Sequence, residues 1–491
     1  MSLAGTVFRP SERRGAVVVS SPRITIVGAG MAGLTAAYEL ERLGYRVEIL
    51  EGSHRLGGRV YTHQFADGAT AELGAMRIPR SHRMVLGLIG DLGLGSKVCR
   101  FESLFSDPSA YHATATGYAR VGDVAKTLVT KFRRDLPQAR SCDEALLLCG
   151  WLAAAGEAIA PAGFRTQMYH EFRHGLLPAV GRLDLRPFVG AGGCGQIDVH
   201  AFFAAHPEIK QGCGGRIAGF IDDILAVTSA ELIRLEGGLG QLPTRLSERI
   251  RGPIKRGHEV IGLDVRDDCV LLDVQIGDVV VRRRCEQVLC TIPFSVLRRL
   301  RIRGLSEAKM KAISDMPYWP ATKVAFHCRE AFWERDGITG GASFSGGRIR
   351  QTYYQQVDGR RQAGAVLLAS YTLGEEAEFL GRLPVRARHA LVRRELGRMH
   401  PEVLRPGMLL NAVSVAWGRN RWSRAAAVTQ WGTSPAEREA ERATAAAPEK
   451  RLFFAGEHCS SNPAWIEGAV ESGVRAVRDI QRWAPLSGAR S

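Results

Sequence analysis

The 491-residue chain has no C-x-x-C pair and no Cys/His run at metal-ligand spacing; its ten cysteines are scattered between Cys99 and Cys459. That pattern argues against a zinc site and against a disulfide framework, so no metal is expected and a reducing, cytoplasmic setting is the simpler reading. Nowhere do eighteen apolar residues run together, so no membrane-spanning helix is expected. Residues 1–22 hold arginines without the apolar stretch of a secretory signal and read as a flexible leader. The basic clusters lack interleaved aromatics: Arg282-Arg283-Arg284 and Arg360-Arg361 are short and offer no rings on which bases could stack. The formal charge of +16 therefore reads as a solvated surface, and no nucleic-acid partner is expected. Internal repeats and low-complexity tracts are absent.

What is present is the composition of an ordinary globular enzyme, 45% hydrophobic and 24% charged. At about 150 residues per domain the length allows two to three domains. A β-run at Ile24-Thr25-Ile26-Val27 leads through a glycine turn into an apolar helix from Met31 to about Leu43, and a second β-run follows from Arg46 to Leu50. That is one βαβ unit. Residues 110–230 are rich in helical spacing, as in Glu144-Ala145-Leu146-Leu147-Leu148. Strands return at His258 to Leu263, Val270 to Val281, Ala321 to His327 and Ala365 to Ser370. The chain closes with an apolar strand, Leu452 to Ala455, and a helix from Ile466 to about Arg482. The late strands and the last helix can complete the sheet begun at Ile24, which makes the nucleotide-binding domain discontinuous.

The turn after the first strand is Gly28-Ala29-Gly30-Met31-Ala32-Gly33. Gly28 permits the tight turn, Gly30 lets backbone approach a pyrophosphate, and Gly33 lets the helix pack on its strand. Glu51 ends the second strand about twenty residues on, where a carboxylate can accept from ribose hydroxyls. Gly190-Ala191-Gly192-Gly193-Cys194-Gly195 fits the same pattern, but no aliphatic strand leads into it and Pro207 limits a following helix, so it reads as loop. With one fingerprint, a separate NADPH site of this type is not expected. The next motif, Arg55-Leu56-Gly57-Gly58-Arg59, exposes backbone N–H groups beside an arginine able to fork onto a phosphate, a second clamp on a diphosphate.

These segments, together with Glu236-Gly237-Gly238, Leu242-Pro243, Thr291-Ile292-Pro293, Phe454-Ala455-Gly456-Glu457 and Ala464-Trp465-Ile466-Glu467-Gly468-Ala469, resemble the flavin amine oxidase family, and within it the L-amino-acid oxidase branch. The resemblance runs in order from about Arg23 to Asp479. It implies an α/β fold: a discontinuous Rossmann-like FAD-binding domain (23–80, 231–305, 430–485), a mixed-sheet substrate-binding domain (81–110, 306–429) and a helical subdomain (111–230). It implies noncovalent FAD, since the Gly-Gly-Cys setting of covalent attachment is absent near Cys459. By likeness, Val260 flanks the adenine ribose, Glu457 binds the ribityl-pyrophosphate region, and the peptide after Trp465, with Ile466 and Ala469, faces the flavin at the start of the last helix.

The same resemblance points to substrate. Gly74-Ala75-Met76-Arg77-Ile78-Pro79 is similar to the branch's glycine-methionine-arginine-proline stretch, whose arginine pairs with the substrate carboxylate. A planar, permanently charged fork is what an α-amino acid requires. Tyr354, or its neighbour Tyr353, resembles the tyrosine that donates to that carboxylate. Lys323 resembles the lysine that holds a water near the flavin and assists reoxidation by O2, and Trp465 one wall of an aromatic cage. The implied activity is oxidative deamination of a free L-amino acid to a 2-oxo acid, ammonia and hydrogen peroxide. A decarboxylating amino-acid 2-monooxygenase, an amine oxidase of the same fold and a basic binding protein on this scaffold are the alternatives. The substrate side chain is left open, and a homodimer is one assembly open to the chain.

Overall fold

The computed structural model describes residues 23–135, 143–190, 197–355, 364–429 and 434–483. The leader at 1–22, most of the second glycine-rich segment (191–195) and Arg360-Arg361 lie outside the described residues. The strand Arg23–Val27 is aliphatic and buried over four of its five residues, which places it inside a sheet rather than at an edge. That sheet has five parallel strands in the order Ile254–Arg256, Arg46–Glu51, Arg23–Val27, Gln287–Cys290 and Leu452–Phe454. Its strands come from the start, middle and end of the chain, as expected. The first helix, Met31–Arg42, and the last, Ile466–Trp483, pack together. A Cβ at Gly473 would lie 2.8 Å from the Ala32 carbonyl oxygen, so the contact needs glycine.

Two departures from the sequence reading are local. The run Val270 to Val281 is a hairpin of Val270–Ile276 and Val279–Cys285, turning at Gly277 (φ 57°) and Asp278. A glycine-containing two-residue turn interrupts an otherwise continuous apolar run. Residues 111–113 and 118–120, expected in the helical stretch, are strands of the seven-stranded sheet. That mixed sheet also contains Ala321–Cys328, Gln351–Tyr354 and Ala365–Leu373. Helices Asp143–Ile159 and Gly214–Thr228 lie in the helical stretch, the former buried on nearly every face. Between sheet, helical stretch and nucleotide-binding layer lies one cavity of about 920 Å³.

Candidate functional site

The floor of the cavity is bare backbone. Gly28 takes φ 106°, and a Cβ there would lie 2.7 Å from the Thr291 hydroxyl; at Gly33 it would lie 2.1 Å from the Gly28 carbonyl oxygen. Both positions hold the turn together. Gly30 differs, for its Cβ would meet nothing within 4 Å: its face opens on the cavity. The helix beginning at Met31 has no side-chain cap, so its first N–H groups remain for an anion. Gly57 (φ 98°) and Gly58 (φ 58°) close the other side, with Gly57 N–H donating to the Ala29 carbonyl at 2.8 Å. The two glycine motifs are thus one cradle, of the kind a dinucleotide pyrophosphate fits.

Glu51 binds this cradle as well as facing the cavity. Its Oε2 accepts from Ala29 N–H and its Oε1 from Ser53 N–H, each at 2.8 Å. Arg59 meets Glu457, 398 residues away, with Nη1–Oε1 at 2.7 Å, and the same Nη1 donates to the Ala426 carbonyl. The other Glu457 oxygen accepts from Ala464 N–H at 2.9 Å and Val428 N–H at 3.4 Å. Burial alone would raise the Glu457 pKa; Arg59, the neighbouring His458 and the Ala464 N–H bring it below the usual carboxylate value. Glu457 therefore organises the wall of the cavity that it lines. Ala464 holds a positive φ of 67° and sets Trp465, which packs edge-on to His82 with ring centroids 5.2 Å apart. Val260, Gly456, Ile466 and Ala469 also line the cavity, and the pairing of the Val260 strand slips between Val260 and Gly262.

At the far end lies the Gly74–Arg77 segment. A Cβ at Gly74 would lie 2.1 Å from the Arg59 carbonyl oxygen, so this segment is pressed against the second glycine motif. Arg77 is buried yet borders the cavity with Ala75 and Met76. Its Nη1 donates to the Tyr353 hydroxyl at 2.8 Å, and the guanidinium carbon lies 5.8 Å from both the Tyr353 and Phe101 ring centroids. Among the described residues it has no carboxylate partner. Lys323 reaches the same segment: Nζ donates to the Gly74 carbonyl at 2.7 Å and the Glu72 carbonyl at 3.3 Å, and lies 4.7 Å from the Tyr371 ring centroid. Burial lowers the Lys323 pKa, with the Glu72 carboxylate opposing, and burial raises that of Glu72.

The two tyrosines separate. Tyr354 is turned away from the cavity, its hydroxyl between Ser343 Oγ (2.6 Å) and His400 Nε2 (2.7 Å). Successive strand residues point to opposite faces, so only one of the pair can serve the site. The expected carboxylate contact at Tyr354 is corrected on this ground. Tyr353 stands behind Arg77, while Tyr371, paired across the sheet with Lys323, borders the cavity itself. The cavity residues Tyr371, Gln351, Trp417 and the helical wall of Ile159, Gly219, Ala226 and Val227, with Glu72 beside Lys323, were not singled out in the sequence. None carries a local motif; the register opposite Lys323 was the one available signal for Tyr371.

Among the described residues no helix is long and apolar enough to cross a membrane, and no cluster of His, Cys, Asp and Glu could hold a metal ion. The profile of the family described as flavin containing amine oxidoreductase matches residues 31–481. The chain is 56% identical, over 94% of its length and 98% of the relative's, to the flavin-dependent L-tryptophan oxidase RebO of Lentzea aerocolonigenes. It is 27% identical to an L-amino-acid oxidase of Vipera ammodytes ammodytes, over 97% of this chain and 96% of that one. A solved putrescine oxidase shares the fold with TM-score 0.64 at 18% identity, covering 94% of this chain and 99% of that chain.

Proposed function

The chain belongs to the family of flavin containing amine oxidoreductases, and from that premise we propose that the free L-amino acid it oxidises with FAD carries an indole or similarly large aromatic side chain, held by its carboxylate on Arg77. The observation that carries this reading is Arg77 itself: a buried guanidinium bordering the cavity, oriented by a neutral hydroxyl. A charge left unpaired in that setting favours an anionic partner. Trp465 and Tyr371 put flat rings on the cavity wall. The relative that acts on L-tryptophan supports the same side-chain class.

The cradle of Gly28–Gly33, Gly57–Arg59 and Glu51 would hold FAD, which when bound would supply the two-electron redox chemistry that links oxidation of the amino acid to reduction of oxygen to hydrogen peroxide. The chain's own part is positioning. Arg77 fixes the carboxylate and Tyr371 borders it. Lys323, whose charged form burial disfavours, is the amine placed to hold a water through an Nζ anchored on Gly74 and Glu72. The imino acid product hydrolyses to a 2-oxo acid and ammonia. A cytoplasmic setting and a homodimer complete the reading; the eight free cysteines among the described residues support the first, and light scattering tests the second.

The test pairs a substrate screen with one substitution. L-tryptophan is expected to exceed aliphatic and cationic L-amino acids in peroxide release, with ammonia in equal amount and no carbon dioxide. Arg77→Ala is expected to lower kcat/KM by about 100-fold or more, the equivalent of about 3 kcal/mol for charge-assisted hydrogen bonds. Unchanged apparent affinity for the amino acid in that variant would remove Arg77 from the carboxylate site.

A further inference from the structure

Arg77 is the end of a hydrogen-bonded chain that passes behind the cavity wall through Tyr353, meets the wall again at Gln351 and reaches the helical stretch. Its Nη1 donates to Tyr353 Oη at 2.8 Å; Tyr353 Oη donates to Gln351 Oε1 at 2.9 Å; Gln351 Nε2 donates to the Ala158 carbonyl at 2.9 Å. Every member is buried, Gln351 to within 1% exposure. The directions are set by chemistry, because a guanidinium only donates and a backbone carbonyl only accepts. Tyr353 therefore accepts from Arg77 and must donate onward, and Gln351 must turn its oxygen to Tyr353 and its NH2 to Ala158. Ala158 lies in the last turn of the helix Asp143–Ile159, where carbonyls lack partners within the helix. Two residues on, Arg350 and Arg165 bind the Ala160 carbonyl at 3.4 and 3.0 Å, and both meet Glu376.

We propose that Tyr353 and Gln351 are positioning residues of the carboxylate site: they hold the Arg77 fork in one orientation through a neutral acceptor and couple that orientation to the end of the helix Asp143–Ile159. The inference rests on the reading of Arg77 as the carboxylate ligand. A carboxylate in place of Tyr353 would orient Arg77 equally well but would neutralise it before substrate arrived. A phenol hydroxyl fixes the fork and leaves the charge. Without it, a long side chain regains rotamer freedom that carboxylate binding must then remove. The effect therefore falls on binding rather than on the step that follows it.

The test uses the FAD-loaded enzyme and two readouts: steady-state kinetics with an L-amino acid, and the Kd of an aromatic monocarboxylate followed by perturbation of the flavin absorbance. Tyr353→Phe is expected to raise KM and Kd by about 5–10-fold, the loss of one buried hydrogen bond, with kcat within about twofold. Gln351→Leu is expected to do the same, and the double variant no more than either, since both break one chain. Tyr354→Phe is the control for a merely structural effect, because Tyr354 sits on the same strand but faces Ser343 and His400. It is expected to lower the unfolding midpoint and leave the monocarboxylate Kd unchanged. If Tyr353→Phe does not fold, Gln351→Leu carries the test alone. A folded variant of either with Kd within about twofold of the parent, or a Kd loss shared equally by Tyr354→Phe, overturns the inference. Arg77→Ala keeps the two readings apart: if it binds the monocarboxylate as before, the assignment of Arg77 falls. If it does not, and Tyr353→Phe does, only the positioning role falls.

Discussion

Lowering the pH from about 7.5 to about 5 is expected to cost the folded protein stability, and His458 is the group whose share can be isolated. Its imidazole lies 4.4 Å from the Phe294 ring and 6.5 Å from that of Tyr318, centroid to centroid, and neither ring nitrogen finds a hydrogen-bond partner among the described residues. Burial pushes its pKa down to about 3, against the pull of the neighbouring Glu457 charge. A histidine with a depressed folded pKa takes its proton first in the unfolded chain. Its contribution is therefore complete above about pH 6.5 and is lost as the pH falls from there toward 3. At about pH 5 the chain is some 1.5 units into that window, and at about 1.4 kcal/mol per unit the loss is about 2 kcal/mol. His112 and His400, each pushed down to about 4 by burial, act in the same direction. Glu72, whose carboxyl burial raises, is protonated first in the folded state and offsets part of the loss. His458→Leu, close in volume and without a titrating group, isolates the one term. Urea unfolding of parent and variant at both pH values should show a gap about 2 kcal/mol more favourable to the variant at the lower pH. Curves that shift with pH by the same amount in both proteins would refute the reasoning.

Two further outcomes follow from the site. Gly30→Val should fold normally and bind no FAD, because its added atoms meet only open cavity; Gly33→Ala should unfold at a markedly lower temperature, because its Cβ would lie 2.1 Å from the Gly28 carbonyl oxygen. Flavin absorbance and thermal melts of the two variants check this contrast. Lys323→Met should slow reaction of the reduced enzyme with oxygen by about tenfold or more, the scale of lost proton-handling by a placed side chain, while anaerobic reduction by the amino acid changes little. Stopped-flow measurement of the two half-reactions separates them.

The cradle was legible because its rules are local. The spacing Gly28–Gly30–Gly33 follows from the geometry of one turn, and Glu51 and Gly57–Arg59 follow within the same βαβ unit. The Gly74–Arg77 segment was legible through its likeness to a known motif, and the structure brings Lys323 to it. Tyr353 and Tyr354 could not be told apart, because a strand alternates faces and the choice of inward face depends on which strands flank it. The hairpin at Gly277-Asp278 was missed for a related reason: seven apolar or mixed residues on either side look like one long strand until a partner sets the turn.

Residues that act through distance were beyond sequence reading. Arg59 and Glu457 are 398 positions apart, yet they close one wall of the cavity. Glu72 becomes an electrostatic neighbour of Lys323 only when the two are packed together, and Gln351 gains its role from a helix end that folds against it. The order of residues alone thus points to the chemistry on offer: a dinucleotide cradle written in short-range spacing, and a guanidinium fork read from the likeness of one segment to a known motif. Which tyrosine faces the fork, what orients it and what shares its cavity came from packing, because register and burial are properties of strands in contact and not of any one stretch of chain.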